Sequence, residues 1–343
     1  MNGKAEAPTP ASGGGAQPGG AQPLEGSRLK FFPVSFFAMT MGLSGLTLAW
    51  RKGAALLGTT GLAAHALGFF TLAVFAVMLG IYLAKAFRYP QAVANELNHP
   101  VMSAFAPTIS ISLLLLAQCM LPILPGLAAW LWGIGAALHL VLTLHIVRNW
   151  VDKEHFELGH INPAWFIPAV GNVVAPLAGV GLGHSELSWF FFAVGVSFWV
   201  ILLVIVFYRI LFHDPLPPML LPTLFILIAP PAVGFLAYMN LQGGALDAFA
   251  RVLYYLALFF TLLMVIELPR FFKLPFFLSW WAYSFPSAAV TVATFVMAEK
   301  VGGAFFHWLA LIMLAALSVL IAWLVLNTGR AIAAGRICQP PKG

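Results

Sequence analysis

Ten apolar stretches follow one another along this chain, and they limit its possible folds more than any other feature. Each stretch is close to the roughly 20 residues that a helix needs to cross a bilayer. Their predicted bounds are 31–50, 58–84, 101–121, 127–148, 163–182, 188–211, 218–240, 248–267, 275–298 and 304–327. Only 8% of the residues are charged, against about 25% in soluble domains. The sequence therefore predicts an all-α integral membrane protein with ten transmembrane helices.

The two ends differ in composition from this transmembrane domain, which is predicted to span residues 31–327. Residues 1–30 are rich in Gly, Pro, Ala and Gln, which predicts a disordered N-terminal tail, and residues 328–343 form a short C-terminal tail. With the N-terminus placed in the cytoplasm, 13 Lys and Arg residues fall on the cytoplasmic side and four outside, accounting for all 17. The four outside are Arg51, Lys52, Arg251 and Lys300. This bias predicts a multi-pass protein of the cell membrane with both termini cytoplasmic.

Proline separates the odd-numbered stretches from the even-numbered ones. The predicted helix kinks are at Pro107, Pro168, Pro176, Pro222, Pro230 and Pro286, all of which lie in odd stretches. Bent helices at membrane depth are tolerated where they are buried in protein or line a cavity. We therefore expect five helical hairpins in a quasi-fivefold ring, with the odd helices inside around a central pore.

Part of the ninth stretch, the sequence WWAYSFPSAAVTVATFVM at 280–297, suggests how such a pore could close. The hydroxyls at 284, 287, 291 and 294 are spaced three, four and three residues apart, which places them on one helix face. The predicted pore-lining hydroxyls are Ser284, Ser287 and Thr291, and the ring of Phe285 is the predicted gate beside the kink at Pro286. Three further predicted lining residues are Gly42 and Gly45, which leave room for the ring, and Asn172, a polar group facing the pore.

The odd stretches contain no Lys, Arg, Asp or Glu deep within them. Buried ionisable groups are typical of proton relays, whereas a neutral lining suits an ion that binds weakly and leaves. Cys119 and Cys338 lie far apart, and the histidines have no metal-ligand spacing. We expect no metal, no cofactor and no nucleic-acid partner, and no enzymatic activity, because no acid–base or nucleophilic motif is present.

Four segments together carry a resemblance to a known family. They are FFAMTMGLSGLTLAW (36–50), ELNHP (96–100), NPAWFIPAVGNVVAP (162–176) and AYSFPSAAVTVATF (282–295). The chain resembles the tellurite-resistance/dicarboxylate transporter family, which includes yeast malate and sulfite transporters and the slow-type anion channels of plant guard cells. The resemblance implies five helical hairpins around a pore, a homotrimer with one pore per subunit, and a pore-occluding phenylalanine at the position of Phe285. Pro286, directly after it, departs from the family pattern.

The predicted function is an anion channel or permease for small inorganic anions, organic acids or oxyanions, seated in the lipid bilayer. The alternative is a proton-coupled carrier that moves a four-carbon dicarboxylate such as malate, or sulfite, or exports tellurite. A membrane enzyme would need a convergent acid–base or metal cluster in the bundle, and the sequence shows none. Polar groups from the even helices at the central axis would favour an enzyme, whereas the channel predicts almost none.

Overall fold

The computed structural model describes residues 28–152 and 157–339, and all secondary structure in these ranges is helical. The predicted N-terminal tail lies outside the described residues up to residue 27. The α-helices are, in chain order, α1 (Phe37–Leu57), α2 (Leu62–Arg88), α3 (Pro90–Asn98), α4 (Thr108–Met120), α5 (Pro125–Asp152), α6 (Phe166–Val170), α7 (Ala175–Gly179), α8 (Ser185–Phe212), α9 (Ala229–Leu241), α10 (Ala248–Ile266), α11 (Leu268–Phe271), α12 (Ser284–Val301) and α13 (Ala304–Ala333).

Eight helical stretches in the described ranges are long and apolar enough to cross a membrane, which confirms an all-helical membrane protein. The fifth predicted segment corresponds to a shorter apolar stretch, Pro163–Gly179, and the first corresponds to α1. All ten predicted segments are thus helical. The count of ten membrane crossings stays a prediction.

Burial divides the helices into two groups. The outer helices are α2, α5, α8, α10 and α13, and only 28–33% of their most apolar stretch is buried in the protein. The inner segments are 34–57, 102–120, 163–179, 221–241 and 278–301. Burial reaches 89% in the last of them, and every residue from 163 to 179 is buried. The exposed apolar faces of the outer helices suit contact with lipid.

Each of the five inner segments begins with a stretch of 3₁₀-helix that continues directly, or after a short turn, into α-helix, and segment 163–179 contains a second such stretch. These stretches are Val34–Phe36, Met102–Phe105, Pro163–Trp165, Gly171–Val174, Leu221–Ile228 and Leu278–Tyr283. The predicted kink prolines lie at the changes of helix type. Pro107 directly precedes α4, and Pro168, Pro176, Pro222, Pro230 and Pro286 lie among the first three residues of a helical element. Proline is tolerated there because the first helical N–H groups have no partner within the helix.

The inner segments pack on one another in a closed circuit. Contacts join α1 to α4, α4 to α7, α7 to α9, α9 to α12 and α12 back to α1. Each inner segment also packs on the outer helix that follows it, as in α1 with α2 and α12 with α13. The structure therefore contains five helical hairpins with their inner members side by side, and its quasi-fivefold symmetry stays a prediction.

Residues near the two ends of the described chain pack together beside α2 and α3. Buried Lys85 forms an ion pair with Glu96 (Nζ to Oε1 2.7 Å) and donates to the carbonyl of Phe32 (2.8 Å). Ile337 and Cys338 pack on the same apolar cluster as Phe32, and burial raises the pKa of the Cys338 thiol. The helix α13 continues six residues past the predicted end of the transmembrane domain at 327, so the described part of the C-terminal tail is folded against the bundle.

Candidate functional site

A narrow cavity of about 80 Å³ lies where the N-terminal parts of the five inner segments meet. We call it the N-side cavity. Each inner segment contributes to its wall, including Met41, Ile111, Val173, Val233 and Phe285. Because the wall draws on all five segments, the cavity lies on the axis of the bundle.

The wall of the N-side cavity is neutral and mostly apolar. No ionisable residue lines it in the described part of the chain, and its hydroxyls belong to Ser35, Thr108 and Ser279. Two of these hydroxyls donate to backbone carbonyls: Thr108 to Phe105 (2.6 Å) and Ser279 to Met219 (2.7 Å). An anion in this cavity therefore meets few free hydroxyl donors.

A wider cavity of about 460 Å³ lies at the opposite ends of the same segments. We call it the C-side cavity. Its wall again draws on all five segments, and it contains the charged residues Lys52, Glu299 and Lys300. Both carboxylate oxygens of Glu299 accept hydrogen bonds from Lys52 Nζ, at 2.9 and 3.0 Å. Charge is thus concentrated at one end of the axis.

Helical periodicity identifies the residues between the two cavities, which we call the neck. On α12, Phe285 belongs to the N-side wall and Val296 to the C-side wall. Ala289 and Val292 lie between them on the same helix face, at steps of four, three and four residues. On α1, the same steps lead from Met41 to Lys52. The neck positions on α1 are therefore Gly45 and Leu48, so the part of the neck that α1 and α12 form is apolar.

Phe285 stands where the N-side cavity meets the neck. Its ring is half-buried, and Gly45 on α1 faces it. A Cβ atom added at Gly45 would lie 3.7 Å from Phe285 Cδ2 and 2.5 Å from the Cβ of Ala288. The absence of a side chain at Gly45 thus lets α1 approach α12 closely at Ala288, beside the ring, while its predicted role in leaving room for the ring stays a prediction.

The other predicted lining residues of α1 and α12 lie elsewhere. Neither Ser287 nor Thr291 belongs to either cavity wall, and the Thr291 hydroxyl donates to the Ser287 carbonyl (2.7 Å). Ser284 is fully buried, donates to the Trp281 carbonyl (2.6 Å) and faces Gly42 of α1. Ser284, Ser287, Thr291 and Gly42 thus lie outside both cavity walls, and their role as lining residues stays a prediction.

Asn172 also turns away from the axis. Its Nδ2 donates to the carbonyl of Ala169 (2.7 Å) and to the hydroxyl of Thr143 on the outer helix α5 (3.1 Å), and it lies in neither cavity wall. Thr143 in turn donates to the carbonyl of Pro168 (2.7 Å). Side chains of α5 therefore satisfy carbonyls in the broken segment 163–179, which the sequence alone did not reveal.

His139 belongs to the same face of α5. Its Nδ1 lies 2.9 Å from the hydroxyl of Ser110, and Ser110 donates to the carbonyl of Pro107 (2.9 Å). Because the Ser110 proton is used on that carbonyl, His139 Nδ1 acts as the donor. His139 lies one helical turn before Thr143, and this spacing was the sequence signal that a polar face of α5 packs on the inner segments. Among the described residues, no three His, Cys, Asp or Glu side chains gather as a metal site.

The sequence is similar to known anion channels and transporters. The family model described as voltage-dependent anion channel (SLAC1) matches residues 31–329. The S-type anion channel SLAH2 of Arabidopsis thaliana is 32% identical over 294 residues, which cover 82% of this chain and 56% of the plant protein. A tellurite resistance protein TehA homolog of Haemophilus influenzae is 27% identical over 265 residues, covering 75% and 79%. An uncharacterized transporter of Methanocaldococcus jannaschii is 27% identical over 299 residues, covering 80% and 87%.

Proposed function

Because this chain belongs to the voltage-dependent anion channel family, we propose that it conducts small anions passively along the axis that joins its two cavities. The observation that carries the proposal is the pair of cavities, each lined by all five inner segments and separated by a neck with Phe285 at its edge. Inorganic anions, organic acids and oxyanions are the proposed cargo.

The proposed gate is the ring of Phe285. An apolar constriction closes a pore to ions by excluding water, since an anion that enters it loses hydration without gaining donors. The neck residues Gly45, Leu48, Ala289 and Val292 offer no side-chain donor. Displacement of the ring toward the N-side cavity would widen the neck and admit water. The junction of 3₁₀- and α-helix at Tyr283–Ser284, directly before the ring, is a natural hinge for this movement.

We propose that the N-side cavity opens toward the cytoplasm of a cell membrane, with both termini on that side. The distribution of Lys and Arg supports this orientation, because ten of the 14 basic residues in the described part of the chain lie at the N-side end of the bundle. A homotrimer with one pore per chain is the proposed assembly. It rests on the resemblance described above.

The test is the anion current of Phe285→Ala in a voltage-clamped planar bilayer, compared with the native protein. We expect at least a roughly tenfold larger current in the variant, because the largest side chain at the edge of the apolar neck is removed. Phe295→Ala is the matched control. Phe295 lies on the same helix, is 1% exposed and lines neither cavity, so its truncation should leave the current unchanged.

A folded Phe285→Ala protein that stays electrically silent would contradict the gate. The alternative is a proton-coupled carrier for a dicarboxylate, sulfite or tellurite. Among the described residues, Glu299 is the only carboxylate in either cavity wall, so a carrier would depend on that residue or on groups outside the axis. Uptake of labelled malate or sulfite into vesicles, with and without a proton gradient, separates the two functions.

A further inference from the structure

We propose that Lys300 captures small anions in the C-side cavity, and that the Lys52–Glu299 ion pair sets how much positive charge this cavity presents. The inference rests on the proposed function and specifies where anions are collected before they reach the neck. It starts from a difference among the charged side chains of the cavity wall: Lys52 and Glu299 pair with each other, whereas Lys300 has no ion-pair partner among the described residues.

The charges of Lys52 and Glu299 largely cancel. Two hydrogen bonds of 2.9 and 3.0 Å join the ammonium group to both carboxylate oxygens, and both side chains are partly exposed. Lys300, the next residue on α12, makes no ion pair with any described residue. The C-side cavity therefore presents one uncompensated ammonium group.

The backbone positions this ammonium group. Lys300 Nζ would lie 3.0 Å from a Cβ atom added at Gly244, where φ is +84°. The turn at Gly243–Gly244 between α9 and α10 thus leaves space for the ammonium group of Lys300, which a side chain at Gly244 would occupy. Asn240 and Gln118 add amide groups to the same wall. One ammonium group with neighbouring amides suits a small anion that is held weakly and released.

The helix ends explain why a positive charge is needed here. The inner segments present their C-terminal ends to the C-side cavity, and a helix C-terminus has a partial negative charge of about −0.5. These ends repel anions. Arg51 covers part of this charge by donating to the carbonyls of Gln118 (3.2 Å) and Cys119 (2.5 Å) at the end of α4. Lys300, in the last turn of α12, offsets part of the remaining negative charge near α12 and α9.

The test compares Lys300→Gln and Glu299→Gln, each in the Phe285→Ala background, with anions supplied from the C-side. At about 5 Å in a water-like medium one unit charge changes the local anion concentration roughly fourfold. We expect Lys300→Gln to lower the current by about that factor at low ionic strength, Glu299→Gln to raise it, and both effects to vanish near 1 M salt. Lys300→Arg should restore the current. Arg251→Gln is the control, because Arg251 is exposed near the same end of the bundle but lies outside the cavity wall.

Broadening of the ³⁵Cl resonance by the purified protein, with Phe285 intact, measures chloride capture without permeation. Loss of the broadening in Lys300→Gln but not in Arg251→Gln would support the capture site, even if every variant were electrically silent and the proposed channel function failed. Equal broadening and equal current in Lys300→Gln and Arg251→Gln would overturn the capture site, while a conducting Phe285→Ala protein would leave the channel function intact.

Discussion

The two cavities share the same five inner segments but present opposite surfaces to an anion. The N-side cavity is narrow, neutral and mostly apolar, whereas the C-side cavity is nearly six times larger and contains Lys52, Glu299 and Lys300. The N-terminal helix ends point toward the neutral cavity, and the C-terminal ends point toward the charged one. Side-chain charge is thus present where the helix dipoles disfavour an anion and absent where they favour it.

This difference suggests a division of labour along the axis. A wide, wet and charged mouth raises the local concentration of anions without selecting strongly among them, because water screens its charges. A narrow apolar passage imposes the cost of dehydration, which differs among anions. We therefore expect capture to depend on the C-side cavity, and selection and gating to depend on the neck and the N-side cavity.

The most direct test of this division of labour is to place the same negative charge in the wall of each cavity. In the Phe285→Ala background, Val170→Glu adds a carboxylate to the N-side wall and Val180→Glu adds one to the C-side wall. Repulsion at 4 Å is about 4 kcal/mol at an effective dielectric constant of 20 but about 1 kcal/mol in water. We expect the anion current to fall roughly 1,000-fold in Val170→Glu and about fivefold in Val180→Glu.

Val170→Gln separates charge from bulk in this experiment. It has nearly the volume of Val170→Glu without the charge, so it should retain most of the current. Comparable losses in Val170→Glu and Val180→Glu would mean that the N-side cavity is as well hydrated as the C-side cavity, and the division of labour would be wrong.

The helical hairpins could be predicted from the sequence because their signals are local. Apolar length defines each helix, and the prolines mark the inner segments at the changes of helix type. The rotation of α12 could not be predicted in this way. The spacing of Ser284, Ser287 and Thr291 defines a helix face but does not say which neighbour that face meets. That depends on Gly42 in α1, which lies more than 240 positions away along the chain.

The charged wall of the C-side cavity could not be predicted from the sequence for a similar reason. The sequence placed Lys52 and Lys300 on the same side of the membrane, but the partner of Lys52 is Glu299, 247 residues away. The sequence of α12 did contain a signal for this cavity. Steps of three or four residues from Phe285 lead through small apolar residues to Glu299 and Lys300 at the end of the helix. The ring of Phe285 could be placed because a bulky group beside a proline is a local feature.

The next prediction concerns the neck that separates the two cavities. Gly45→Ala adds a Cβ atom 2.5 Å from the Cβ of Ala288, which is closer than two carbon atoms can pack, so α1 and α12 must move apart. Overpacking of this kind costs about 1–3 kcal/mol. We expect the free energy of unfolding in detergent to fall by that amount. Gly80→Ala, on an exposed face of α2 with no atom within 4 Å of the added Cβ, should be neutral or slightly stabilising.

The smallest expected effect concerns the outer helix α5, which supports the wall of the N-side cavity from behind. Thr143→Val keeps the shape of the side chain but removes its bonds to the Pro168 carbonyl and to Asn172, behind the segment that lines the N-side cavity. Hydrogen bonds between membrane helices contribute about 0.6 kcal/mol on average and up to 1.7 kcal/mol. Since two bonds are lost, we expect the free energy of unfolding to fall by about 1–2 kcal/mol. In Thr261→Val the lost hydroxyl bonds only a carbonyl of its own helix, so its change should stay within about 0.5 kcal/mol. Equal effects in the two variants would mean that segment 163–179 satisfies its own broken backbone, and that α5 supports the N-side wall through apolar packing alone.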